Sequence, residues 1–296
     1  MRRRALLIGL LAQMALVSPP ARAAGITAVA SFSVLADMMR RIAGEMVSVT
    51  SLVPADADVH VWQPSAADSR TLTEAALLVE NGLGLEGWMS RLSAASGFRG
   101  IRIVATDGVT PRTMRKGAAT SIDPHAWQDP RNGVIYARNI AEGLTAADPV
   151  HADAYRTSAA AYVAEIEQTD AWIASQFAPI PPAARRIVTT HDAFGYYGAR
   201  YGIEFLAAEG LSTDAEPSAK AIAALVAQIK RERVRTVFLE NMTDPRLTAM
   251  LARETGATVS GPLYSDALSK PDGPAPDYIS MLRHNTTLFE RAMRPA

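Results

Sequence analysis

Short β-rich runs alternate with helical stretches twice in this chain, and one unbroken helical stretch separates the two rounds. In the first round Ile26–Ala30, Val47–Val53, Ala76–Glu80 and Ile101–Ala105 read as strands. Helical periodicity lies around Val34–Ala43, Ser65–Glu74 and Leu85–Ala95. The second round has strands at Arg186–Thr190, Ile203–Leu206, Val234–Leu239 and Ala257–Ser260, with helices at Ser218–Arg231, Pro245–Thr255 and Asp277–Arg291. Such alternation builds a parallel sheet with helices on its faces. Between the rounds, Asp148–Ala178 contains no Gly, and no Pro after Pro149. Asp148 suits an N-cap, Pro149 a first turn, and Pro179, Pro181 and Pro182 stop the run. At ~1.5 Å per residue the helix is about 45 Å long, enough to span two lobes. The expected fold is α/β: two lobes with mainly parallel sheets, residues 24–147 and 179–296, joined by one long linker helix, 148–178. A length of 296 residues fits two domains.

The first 23 residues read differently. Arg2, Arg3 and Arg4 precede an apolar run, Ala5–Val17, and Ala21-Arg22-Ala23 is a small-x-small cleavage site. This is the pattern of a secretory signal peptide. Its removal takes away four arginines and no acid, leaving 26 basic against 30 acidic residues and a net charge of −4. Nothing there points to a nucleic-acid partner. The sequence has no cysteine. Disulfides, thiolate ligands and a lipid-modified cysteine are therefore excluded within it, and an exported protein without a lipid anchor is expected in a periplasm.

Three of the five histidines share a setting, each in a loop after an expected strand. His60 lies in Asp58-Val59-His60-Val61-Trp62-Gln63-Pro64, and His125 in Asp123-Pro124-His125-Ala126-Trp127-Gln128-Asp129-Pro130. The element His-x-Trp-Gln thus occurs twice, which suggests a duplicated local geometry. His191 follows a strand directly, in Thr190-His191-Asp192-Ala193-Phe194-Gly195-Tyr196-Tyr197. Ligands of open parallel sheets bind beyond the carboxyl ends of the strands, so a site using all three lies between the lobes. Imidazole suits Zn²⁺ and its first-row neighbours, and three of them leave one tetrahedral position. Asp266 is the choice for that position, with Glu204, Glu209, Asp214 and Glu240 as competitors. Asp58, Asp123 and Asp192 could orient the imidazoles or cap turns. His151 and His284 read as surface residues.

At these residues the chain resembles the metal-specific substrate-binding proteins of bacterial ABC importers for zinc and manganese, the cluster 9 or A-I type. Asp58–Pro64, Asp123–Trp127, Thr190–Tyr196, Glu216-Pro217-Ser218 after Gly210-Leu211-Ser212, and Ser265-Asp266-Ala267-Leu268 match the family's segments in order. The resemblance covers essentially the whole chain after residue 23. It implies His60, His125, His191 and Asp266 as ligands of one metal ion, two lobes on one long helix, and small rather than wide lobe movements. It also implies a membrane permease with a cytoplasmic ATPase as partners. A periplasmic metallochaperone is a further candidate partner, and a monomer is expected. Manganese members often carry Glu where His191 stands, so three nitrogens and one carboxylate favour Zn²⁺, with Mn²⁺ as the alternative. Residues 107–122 contain no histidine and one acid, unlike the His-rich loop of many zinc members. The rival from another class, a zinc hydrolase, needs an open position for water and a general base, and no His-Glu-x-x-His motif is present. No enzymatic activity is expected.

Overall fold

A computed structural model describes residues 25–116, 119–189, 191–207, 218–231, 234, 236–242 and 245–294. The signal-peptide reading, residues 1–23, lies outside them, as do Thr190, Gly210-Leu211-Ser212 and Glu216-Pro217.

The first lobe holds a parallel sheet of β1 (Thr27–Phe32), β2 (Ser48–Val53), β3 (Leu77–Glu80) and β4 (Ile101–Val104), in the order β2-β1-β3-β4. The central strands β1 and β3 are buried along almost their whole length, while the edge strand β2 alternates at its start. This is what helices on both faces require of a parallel sheet. Helix α1 (Ser33–Ala43) buries Val34, Leu35, Met38, Met39 and Ile42, a helical stripe, and stops at Gly44 with φ 57°. Helix α2 (Ala66–Thr73) starts in a reciprocal capping box between Ser65 and Asp68. Helix α3 spans Met89–Ser96, shorter at its start than the sequence pattern implies.

Three elements are not anticipated above: a hairpin, β5 (Arg112–Lys116) with β6 (Ala119–Asp123), helix α4 (Pro130–Ala147), and helix α6 (Gly195–Tyr201). In α4, Gly133 and Gly143 look like breakers but are packing requirements. A Cβ on Gly133 would stand 2.6 Å from the Tyr278 hydroxyl, and one on Gly143 would stand 2.6 Å from Ile103 Cγ1. The Tyr278 hydroxyl donates to the Trp127 carbonyl, so Gly133→Ala is expected to disturb that loop as well as the helix. Overpacking of this kind costs about 1–3 kcal/mol. A thermal melt of the variant checks it, and an unchanged Tm would show that Tyr278 has room to move.

The long helix is α5, Ala152–Phe177, one continuous helix of 26 residues after a short turn at Pro149–His151. Its buried residues are Tyr155, Ala159, Tyr162, Ile166, Thr169, Ile173 and Phe177. Steps of three and four residues make one stripe down the helix. That stripe packs on α4 and α1 and on α9 (Tyr278–Met293). Asp148 is not a side-chain N-cap; its carboxylate instead receives the Tyr155 hydroxyl and sits 2.6 Å from His151 Nδ1.

The second lobe repeats the plan: β7 (Arg186–Thr189), β8 (Glu204–Ala207), β9 (Thr236–Glu240) and β10 (Thr258–Leu263) form a parallel sheet in the order β10-β9-β7-β8. Helices α7 (Ala219–Arg231) and α8 (Pro245–Thr255) flank it. One hydrophobic core runs from β1 and α1 through α5 to Phe194, Phe238 and Phe289, and a smaller one lies under α7 and α8. After β10 the chain returns to the first lobe. Leu268 N–H donates to Ser33 Oγ, the Leu268 carbonyl accepts from Asp56 N–H, and Tyr278 N–H donates to Asp37. Among the described residues no helix is long and apolar enough to cross a membrane.

Candidate metal centre

His60, His125, His191 and Asp266 converge in the cleft, with one ligand atom from each lying within 4.8 Å of the others. His60 follows β2 in a turn where Asp58 accepts its N–H at 2.8 Å. His125 follows β6, His191 lies just beyond β7, and Asp266 lies just beyond β10. The Nε2 atom of His125 is 3.2 Å from that of His60 and 3.4 Å from that of His191. Asp266 Oδ2 is 3.2 Å from His60 Nε2 and from His191 Nε2, and Oδ1 is 3.6 Å from His125 Nε2. A tetrahedron with zinc–nitrogen bonds of about 2.0–2.1 Å has edges of about 3.3–3.4 Å. With Asp266 Oδ2 as the carboxylate donor, four of the six separations therefore match such an edge within a few tenths of an ångström.

Two of the imidazoles are aimed by carboxylates behind them. Asp123 Oδ1 takes the His125 N–H at 3.0 Å and faces His125 Nδ1 at 2.8 Å. Glu240 takes the His191 N–H at 3.0 Å and faces its Nδ1 at 2.7 Å. A proton held at Nδ1 leaves the Nε2 lone pair pointing into the cluster and makes it a better donor. Asp192 does not fill this role: Glu240, 49 residues further on, does so for His191. Nothing in the local sequence marks it, because only the pairing of β7 with β9 brings the two together. Of the other competitors, Glu204 is exposed and paired with Arg186 at 2.8 Å, and Glu209 and Asp214 lie outside the described residues. His284 is half-buried, not a surface residue, and meets the Pro262 carbonyl at 2.9 Å. His151 pairs with Asp148.

The two His-x-Trp-Gln elements are not equivalent. Trp127 and Gln128 are fully buried, with Trp127 against Phe32 at 4.9 Å between ring centroids. Trp62 is only partly buried and Gln63 is exposed. Both elements bring an imidazole to the site and pack an indole against the core, but they differ in depth, because the second loop is also covered by the chain after β10.

Asp266 is fully buried, yet neither carboxylate oxygen has an aligned hydrogen-bond donor among the described residues. Burial alone would raise its pKa, but the His191 and His125 charges hold it well below the usual carboxylate range. Burial pushes the His60 imidazolium down, and the adjacent Asp266 carboxylate raises it further than burial lowers it. His191 is treated alike by burial, and Glu240 and Asp266 lift it well above the ordinary histidine value. A buried carboxylate whose nearest polar neighbours are three imidazole nitrogens is set up for a cation rather than a proton.

Fold and converging side chains together define the class: a two-lobed solute-binding protein, here with a candidate metal site between its two sheets. The family model "ZnuA: Zinc-uptake complex component A periplasmic" matches residues 28–292, and the chain belongs to this family. Its members are solute-binding transporter components, not enzymes. The iron-binding protein YfeA of Yersinia pestis is 32% identical over 259 residues, covering 86% of this chain and 82% of that protein. The manganese-binding lipoprotein MntA of Bacillus subtilis (strain 168) is 31% identical over 271 residues, covering 90% and 89%. Among solved structures, the Mn-bound periplasmic metal-binding protein of Candidatus Liberibacter asiaticus shares 30% identity at a TM-score of 0.81, covering 91% of this chain and 100% of that one. The periplasmic zinc-binding protein TroA of Treponema pallidum shares the fold at a TM-score of 0.86, with 24% identity over 92% and 100% of the two chains.

Proposed function

We propose that this protein is the periplasmic substrate-binding component of an ABC metal importer and carries one divalent transition-metal ion, Zn²⁺, on His60, His125, His191 and Asp266. The observation that carries the reading is the fully buried Asp266 carboxylate, faced by three Nε2 atoms at 3.2–3.6 Å. The cargo passes to a membrane permease driven by a cytoplasmic ATPase. The first lobe, the linking helix and the second lobe act as one monomeric carrier. MntA and the Streptococcus pneumoniae protein PsaA are named lipoproteins. These 296 residues contain no cysteine, and we read this carrier as periplasmic. Deleting the gene should arrest growth in a chelator, with added zinc restoring it. Normal growth of the deletion strain there would contradict an import role.

Manganese is the second reading, favoured by the relatives named for it and by Asp266 presenting one oxygen to His125 and the other to His60 and His191. Donor type and the usual affinity order favour zinc. Zinc is expected to displace manganese in competition calorimetry, and manganese displacing zinc would reverse the assignment.

Protons and metal compete for the same Nε2 atoms. Because His60 and His191 hold protons above their ordinary values, zinc affinity falls as pH is lowered, beginning above pH 6.5. The metal-free protein is expected to show the opposite trend. Raised histidine pKa values give stability that is complete below about pH 6.5 and lost as pH rises through the folded-state values. Melts in chelator and calorimetry across pH 5.5–8.5 check both signs, and parallel trends would contradict this charge assignment.

A further inference from the structure

Gln128 stands where an apolar side chain would pack better. It is fully buried on the short turn that follows His125, and its Oε1 has no hydrogen-bond partner among the described residues. A buried acceptor left unbonded costs stability. The hydrogen bond that the side chain does make is from Nε2 to the Ser265 carbonyl, at 2.8 Å. The Trp127 indole donates to the same carbonyl at 2.9 Å. Ser265 immediately precedes Asp266, and its hydroxyl donates to Glu240, the residue behind His191. The peptide between Ser265 and Asp266 is thus gripped by the first lobe through two donors. Further on, Leu268 and Tyr278 are also hydrogen-bonded to that lobe.

Resting on the metal reading above, we infer that Gln128 is a positioning residue for Asp266. Through the Ser265 carbonyl it fixes the carboxylate against His60 and His125, and the first lobe thereby presents three donors. His191, backed by Glu240, is the one donor brought by the second sheet. A residue that lowers stability where it sits and serves the site is the conflict expected at functional positions.

Gln128→Met preserves volume while removing both the donor and the orphaned acceptor. Gln128→Leu is the second variant, and Gln63→Met, on the exposed twin element, is the control. Two readouts are taken on the full chain: Tm in chelator, and the rate at which excess chelator strips zinc. Outer contacts of this kind change metal retention by roughly 10–100-fold. The expected result is a Tm equal to or above wild type for both Gln128 variants, with zinc stripped about 10-fold faster or more, and no change for Gln63→Met. The absorption bands of the Co²⁺-loaded Gln128→Met protein are also expected to shift. Unchanged stripping rates would overturn the inference. A Tm that falls along with metal retention would assign Gln128 to packing and overturn it too. Wild-type protein that binds no zinc would sink the metal reading itself, which the same experiment shows separately.

Discussion

Asp266→Ala is expected to lower zinc affinity by at least about 100-fold while the chain still folds. The carboxylate is the one anion among the four converging side chains, and it is fully buried. Without it, three neutral imidazoles face a dication in a site with little water to screen it. Removing one partner of a buried charge pair typically costs about 3–5 kcal/mol, a factor of roughly 10² or more. A water molecule can take the vacated position, so weak binding should persist. The metal-free protein should respond differently. There Asp266 has no aligned donor and is compensated by imidazolium charge alone. The variant's Tm in chelator should therefore approach or exceed wild type as pH rises and those histidines lose their protons. Titration calorimetry and melts on the same samples separate the two effects. Wild-type zinc affinity in Asp266→Ala would remove this residue from the ligand set.

Zinc itself should shift the melt strongly. Free metal at 1,000 times its dissociation constant adds about 4.1 kcal/mol to a state that binds only when folded. For chains somewhat smaller than this one, each kcal/mol moves Tm by roughly 2–4 °C, so a rise on the order of 8–16 °C is expected. The donors come from loops of both sheets, and one hydrophobic core runs from the first sheet through α5 to the second. Both lobes should therefore shift together, in one transition, and chelator should return it. A rise confined to part of the transition would mean that zinc sits within one lobe.

Much of this arrangement was legible because it depends on local chemistry. The strands of both sheets follow from β-rich runs, and α5 follows from a stretch free of Gly and Pro whose buried stripe keeps helical spacing. Three imidazoles at strand ends pointed to the cleft for the same reason. What escaped depends on contacts distant in sequence. Helix α4 was hidden by Gly133 and Gly143, which are there to admit Tyr278 and Ile103. Glu240 reaches His191 through sheet pairing, and Ser265 reaches Gln128 across 137 residues. Residue type and spacing alone left five carboxylates open for the fourth position, and the Ser265-Asp266-Ala267-Leu268 match to the family is what favoured Asp266. The return of the chain onto the first lobe, which no local pattern announces, is how that residue comes beside the three imidazoles. The repeated His-x-Trp-Gln element correctly announced two imidazoles at one site with their indoles packed, but not that the second copy alone is fully covered.

The central claim is that four side chains hold one ion. Diffraction from zinc-soaked crystals, recorded on both sides of the zinc absorption edge, tests it most directly. A single anomalous peak about 2.0–2.1 Å from Nε2 of His60, His125 and His191, and a similar distance from a carboxylate oxygen of Asp266, is the predicted result. A peak elsewhere, or none between these residues, would contradict it.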